Sequence, residues 1–167
     1  MRHRQYLGST GRSARFIRSQ TMADLSFTID AVVHGTGKDR EGTITAGDEM
    51  IRYSTPASMG GKGVGASPET LLISAVTACY SLTLLYYLQK KRLAVTELAV
   101  KTEGIVSGHP QKHRYARIIV NPTVHGGKRA RFEEYRAAAA EARDNCFIGQ
   151  TVAAGQVAYE VGAVEIV

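Results

Sequence analysis

The sequence predicts an α+β fold in which helices lie segregated against a mainly antiparallel sheet. Three observations carry that reading. Apolar residues alternate with a period of two in runs near both ends of the chain. Between Thr70 and Leu88 lie 19 consecutive uncharged residues. A second helical period follows at Phe132, Tyr135, Ala139 and Ala142. A chain of 167 residues with 44% apolar and 22% charged residues can hold one core, and this composition excludes a disordered or collagen-like chain.

The first strand is read from Phe27, Ile29, Ala31 and Val33, which alternate between Leu25 and His34. Thr43–Thr45 and Met50–Tyr53 flank the turn residues Ala46, Gly47 and Asp48, which predicts a hairpin. Pro56 to Ala66 holds four glycines in eleven positions and reads as a loop. Ser67, Pro68 and Glu69 then form a helix start: a hydroxyl cap, a proline suited to the first turn, and a carboxylate at the positive end of the dipole. Lys90, Lys91 and Arg92 suit the other end. Leu98, Val100 and Thr102 open a further strand, and Tyr115 to Val120 another. Cys146 extends the apolar face of the second helix. Val157, Tyr159, Val161, Val164 and Ile166 read as one closing strand.

The uncharged helix reaches the length of a membrane span. It also carries Thr70, Ser74, Thr77, Ser81 and Thr83, and amphipathic strands flank it on both sides. A span would separate those strands into two compartments. The preferred reading is a core helix of a soluble protein with no membrane partner, its remaining apolar face covered in a homodimer.

Charge divides unevenly. The net charge is +6, but Arg2, Arg4, Arg12, Arg15 and Arg18 stand in the first 21 residues without any acid, and the remainder holds 16 basic and 15 acidic residues. Residues 1–23 therefore read as a basic, poorly ordered extension, with Met22 a competing start, and residues 24–167 as the single domain. A nucleic-acid arm or targeting peptide is the rival reading of the extension, but the nearly neutral body gives no reason to expect nucleic acid. The extension lacks the apolar core of a secretory signal, so a cytoplasmic location is expected.

Familiar catalytic motifs are missing. Gly61-Lys62 is followed by Gly63, so the glycine-rich loop is no Walker phosphate cradle. His109 and His113 have ligand spacing, yet Pro110 puts them in a turn without a third ligand, and no metal is expected. The two cysteines, Cys79 and Cys146, stand 67 residues apart, which is no zinc pattern. Cys79 lies within the uncharged helix, where it is either a small buried hydrophobe or a nucleophile. A nucleophile needs a thiolate. Lowering a thiol from about 8.5 to about 6 takes roughly 3.4 kcal/mol of differential stabilisation, and Cys79 is too far from the helix N-terminus to draw it from the dipole. A cation must supply it.

Ser54-Thr55-Pro56, Gly60-Gly61, Ser67-Pro68-Glu69-Thr70-Leu71-Leu72 and Ala78-Cys79-Tyr80, taken in order, resemble the OsmC/Ohr family of osmotically inducible and organic-hydroperoxide-resistance proteins. The likeness covers approximately residues 25–167, and the Ser-Thr-Pro and glycine-rich loop look closer to the hydroperoxide branch. The resemblance implies an intertwined dimer, with sheets wrapped on long central helices. It also implies a thiol peroxidase reducing organic hydroperoxides to alcohols. By the same likeness Cys79 is the peroxide-reactive cysteine and Cys146 its resolving partner. Glu69 is the family's glutamate, and Arg40 its arginine with Lys38 as competitor. The resemblance implies no metal or organic cofactor, and a dithiol reductant, in that branch a lipoyl-bearing protein.

The chemistry of those residue types agrees. A guanidinium at Arg40 could hold a thiolate and the Glu69 carboxylate at once. Cys79 would become a sulfenic acid, and Cys146 would close it to a disulfide. A place at the C-terminal end of its helix would keep Cys146 a thiol until needed. An apolar pocket beside the central helix would favour alkyl hydroperoxides. One difficulty is distance: ten residues of straight helix separate Glu69 and Cys79 by about 15 Å. Either the helix breaks near Ser74 or the geometry is completed across the dimer. The family also commonly has proline after the resolving cysteine and serine two residues later, where this chain has Phe147 and Gly149. The rival reading is a non-enzymatic OsmC-like protein that binds an apolar ligand or acts as a redox-responsive module.

Overall fold

The computed structural model describes residues 25–112, 114–155 and 158–167. The basic extension, His113 of the histidine pair, and Val157 of the closing strand lie outside the described residues.

The first sheet is an antiparallel meander of β1 (Asp30–His34), β2 (Glu41–Ala46) and β3 (Glu49–Ser54). The hairpin turn is Gly47-Asp48, with Gly47 at φ 62°, where glycine alone bears no steric penalty. The first strand begins five residues later than the alternation suggests. Asp30 pairs with Thr45, one residue from the end of β2, so residues 25–29 run past the hairpin and find no strand to pair with. This sheet joins the rest of the chain through the glycine-rich loop. Ser54 N–H donates to Ala66 O and Ala66 N–H to Arg52 O, while the buried Ser54 hydroxyl exchanges hydrogen bonds with the Val64 backbone. Gly65 permits this folding back: its φ is +69°, and a Cβ there would stand 2.2 Å from Arg52 O.

Helix α1 (Pro68–Lys90) starts with the predicted cap. Ser67 Oγ accepts from Thr70 N–H at 3.1 Å, and Thr70 Oγ1 accepts from Ser67 N–H at 2.8 Å, a reciprocal capping box. The hydroxyls that dot the helix bond back to its own carbonyls, Ser74 to Thr70 O, Thr77 to Ile73 O and Ser81 to Thr77 O, each at 2.7 Å. Polarity is thus satisfied within the helix, and the helix is continuous through Ser74. By length and composition it could cross a membrane. Instead it is the central helix of the fold: Val76, Tyr80, Leu84, Tyr87 and Leu88 are buried against α2, α3 and the second sheet.

That sheet consists of β4 (Glu97–Ile105), β5 (Arg117–His125), β6 (Ala158–Val161) and β7 (Glu165–Ile166). β4 runs antiparallel to β5, whereas β6 and β7 are both parallel to it. The sheet is therefore mixed, and the single closing strand is two. The break sits at Pro122, which has no N–H to give the edge strand. Val120 O and Val124 O accept from Gly162 and Val167 on that side, and at the gap Asn121 Oδ1 takes Ala163 N–H at 2.8 Å. Between the strands come α2 (Phe132–Asn145) and α3 (Phe147–Ala154), where one helix face was expected to run on through Cys146. Tyr135, Ala138, Ala139 and Ala142 form the buried face of α2.

Candidate functional site

Cys79 lies at mid-length on α1, partly buried, while Cys146 is fully buried, and both thiols are free. α1 packs on both α2 and α3, so the junction of the two shorter helices sits against the middle of the long one. There the Cys79 thiol approaches Cys146 closely enough to act on its ionisation. Residues 67 apart in sequence are thereby neighbours.

Cys146 sits at both ends of a helix. It closes α2 and is also the N-cap of α3, with Sγ accepting from Gly149 N–H at 3.4 Å. The expectation that only a negative helix end faces it therefore needs correction. The N–H groups of α3 favour its thiolate, but burial, the largest influence, pushes the thiol up, and hydrogen bonding to Cys79 adds to this. Tyr159 and the Gly149 amide pull the other way without reversing it.

Tyr159 was read only as a strand residue. Its ring lies so close to Gly149 that a Cβ there would overlap the ring's Cε1, so the serine common in the family could not fit. Its hydroxyl is buried and makes no hydrogen bond of ordinary geometry. It is nonetheless a neighbour of the Cys146 thiol, and burial together with that thiol pushes the phenol far up. Tyr80 flanks the same sulfur, with its hydroxyl donating to Ala139 O at 3.4 Å. Nothing in the spacing of a single sequence marks either tyrosine.

The other two predicted residues lie away from the sulfurs, Glu69 in the first turn of α1 and Arg40 just before β2. Arg40 is exposed and lines a recess of 210 Å³ with Val33, Tyr53, Ser54, Thr55 and Pro68. Its competitor Lys38 lies instead over Gly60 in the glycine-rich loop. Glu69 faces a separate recess of 170 Å³ lined by Met59, Val106, His109, Arg114 and Tyr115. Its Oε2 is buried without a hydrogen-bond partner, and its carbonyl accepts from the Tyr115 hydroxyl at 3.1 Å. Burial, then the Glu69 charge, push the Tyr115 phenol up. Among the described residues no ion pair joins Arg40 to Glu69 within one chain, because Arg40, just before β2, lines one recess while Glu69, in the first turn of α1, faces another. Glu41, next to Arg40, is held by Lys62 at 3.2 Å and Arg52 at 3.3 Å.

With the helix unbroken, about 15 Å of α1 separates this end from Cys79. The chain brings the two sulfurs together and leaves arginine and glutamate at a distance.

Comparison with known proteins agrees with this architecture. The chain is 34% identical over 103 residues to the uncharacterized protein YmaD of Bacillus subtilis, a match covering 62% of this chain and 68% of that one. Among solved structures, an OsmC-like protein from Mycoplasma pneumoniae superposes with a TM-score of 0.70 at 19% identity, covering 87% of this chain and 99% of that one. An organic hydroperoxide resistance protein OsmC from Legionella pneumophila gives 0.63 at 21%, covering 85% and 99%. At these identities the structural likeness speaks for the fold. The sequence family of OsmC-like proteins matches residues 60–161, a span that contains Glu69, Cys79 and Cys146 but not Arg40. On that match, the chain belongs to the OsmC-like protein family.

Proposed function

We propose that this protein is a cytoplasmic two-cysteine peroxidase of the organic-hydroperoxide branch, working as a homodimer. The observation that carries the reading is the pair of free thiols held side by side, one reachable from α1's partly open face and the other sealed behind it. A related structure, from Elizabethkingia anophelis, is described as an organic hydroperoxide resistance protein, at 19% identity and a TM-score of 0.59 over 86% of this chain and 98% of that one.

The Cys79 thiolate attacks the outer oxygen of an alkyl hydroperoxide. The O–O bond breaks, the alkoxide leaves and takes up a proton as the alcohol, and Cys79 is left as a sulfenic acid. Cys146, as its thiolate, displaces hydroxide from that sulfur. The hydroxide takes up the proton that Cys146 released, giving water and a disulfide. An external dithiol such as a lipoyl group then reduces the disulfide, and the cycle calls for no metal or organic cofactor.

The cation comes from the second subunit in this reading. Leu72, Leu82, Leu85 and Tyr86 are exposed on α1, and Phe27, Ile29, Val32, Val33 and Met50 are exposed around the first sheet. Two copies that cover these faces against each other would bring the Arg40 and Glu69 end of one α1 to Cys79 of the other. Arg40 would then stabilise the thiolate and the departing alkoxide, and Glu69 would orient Arg40.

Rapid mixing of reduced protein with cumene hydroperoxide and a lipoyl reductant tests the proposal. Turnover is expected in the wild type and none with Cys79→Ser. Cys146→Ser should form one sulfenate per subunit and then stall. An unreactive wild type whose Cys79 alkylates slowly, with the pH dependence of an ordinary thiol, would favour the ligand-binding alternative.

A further inference from the structure

We infer that Tyr159 is the positioning residue of the resolving step: its buried hydroxyl is held beside Cys146 to donate a hydrogen bond to that sulfur as it becomes an anion. The inference rests on the two-cysteine reading above and assigns a function to a group that reading does not use.

Buried hydroxyls nearly always have a partner, so the exception at Tyr159 asks for a reason. A thiol is a weak acceptor; a thiolate is a strong one. In the reduced resting state the hydroxyl therefore lacks a good acceptor, and it gains one only when Cys146 ionises to attack. The phenol cannot itself be the base, because burial and the neighbouring thiol keep it protonated. It remains a donor at every working pH.

The seat is built for it. Gly149, the third residue of α3, gives the ring room that any side chain would occupy, and its own amide donates to the same sulfur. The two donors reach Cys146 from β6 and from the first turn of α3. The other groups facing it are Cys79 and Tyr80 on α1, with the guanidinium of Arg143 on α2 near Tyr80. Cys79 raises the Cys146 thiol, while Tyr159 is the first of the influences that lower it. Removing the hydroxyl should therefore move Cys146 ionisation to higher pH and slow its attack.

The test needs no peroxide. The chromogenic disulfide DTNB reacts with a thiolate and releases one thionitrobenzoate. Reduced protein should first form a mixed disulfide at the accessible Cys79. Cys146 thiolate then attacks the Cys79 sulfur, the protein disulfide forms, and a second thionitrobenzoate leaves. Absorbance follows both phases separately. With Tyr159→Phe the first phase should be unchanged. The second should slow by about 10- to 100-fold near neutral pH, the size expected for one hydrogen bond to a charged group, and its pH midpoint should rise.

Phenylalanine removes an unpartnered buried hydroxyl and keeps the ring, so the thermal melting point should hold or rise, which separates a slow second phase from unfolding. Gly149→Ala, which drives the ring from its seat while leaving the hydroxyl on the protein, should reproduce the slowing. A second phase with wild-type rate and pH midpoint in Tyr159→Phe overturns the inference. Normal behaviour with DTNB in a protein inert to hydroperoxide would instead count against the peroxidase reading alone.

Discussion

The thiol centre and the first sheet are built on opposite plans. Around Cys146 the chain supplies everything itself: α1, α2, α3 and β6 close over the sulfur until it has no exposure. Around Arg40 it supplies almost nothing. All five residues of β1 are exposed, and apolar side chains such as Met50 and Val33 face outward. A monomer that left both this sheet and one face of α1 uncovered would hold large contiguous apolar surface in water, which soluble monomers rarely do. The difference teaches that the two thiols are brought together within one chain, whereas in the proposed reading activation of Cys79 would draw on a second. The family match respects the same line, since it begins at residue 60, after the sheet.

The comparison breaks most directly at Arg40. Arg40→Ala should lower the rate of sulfenate formation by about 10²–10³-fold, the usual loss for one preorganised charge-stabilising group, and leave disulfide closure by Cys146 unchanged. Lys38→Ala should do little, since that side chain lies over the glycine-rich loop. Mixing Arg40→Ala with Cys79→Ser, unfolding and reassembling the two together, sharpens the point. If Arg40 serves the other subunit's Cys79, hybrid dimers contain one whole site and recover activity. If it serves its own, every site lacks one group and the mixture stays dead.

A smaller effect separates the two regions by pH. Cys146 has its thiol pushed up in the folded protein, chiefly by burial. An unfolded thiol ionises near pH 8.5, so below that value both states hold the proton and the contribution to stability is complete. Above it the unfolded chain sheds the proton first and is favoured. The contribution then drains away until the folded thiol titrates too. The melting point of the reduced wild type should therefore fall relative to Cys146→Ala between about pH 8 and pH 10. A constant difference across that range would mean that Cys146 is not sealed from water as described.

What the sequence makes legible follows the same division. The start of α1 is readable because Ser67, Pro68 and Thr70 act within one turn, and the hairpin is readable because Gly47 must take a positive φ. The helix face through Tyr135, Ala139 and Ala142 is likewise local, but it conceals the stop at Cys146, since α3 buries its side chains against the same core. The split of the last strand depends on Pro122 and Asn121, some forty residues upstream, and no local pattern announces it. Both cysteines could be named as candidates from the sequence, and the fold makes them neighbours, yet Tyr159 could not. Its role is fixed by Gly149, ten residues away, through a contact that exists only once β6 lies beside α3. The separation of Arg40 from Glu69 within one chain is hidden for the same reason: it depends on how the entry to β2 lies against the first turn of α1.

Phe147 provides the finest test of how far the thiol centre is self-sufficient. It occupies the first position of α3, where a missing N–H costs nothing and the fixed φ of proline suits the helix. The residue before it, Cys146, has φ −74° and ψ 110°, an extended conformation that a following proline tolerates. Phe147 itself is 66% exposed, so its ring contributes little to the core of the chain. The departure from the family's common proline should thus be conformationally neutral. Phe147→Pro should raise stability by about 0.4–1 kcal/mol through the unfolded state and leave the closure rate within the wild-type range. Chemical denaturation read beside the DTNB second phase checks both. A large loss of stability would show that the exposed ring is held against something in the working protein, and at this position the second subunit would be the first place to look.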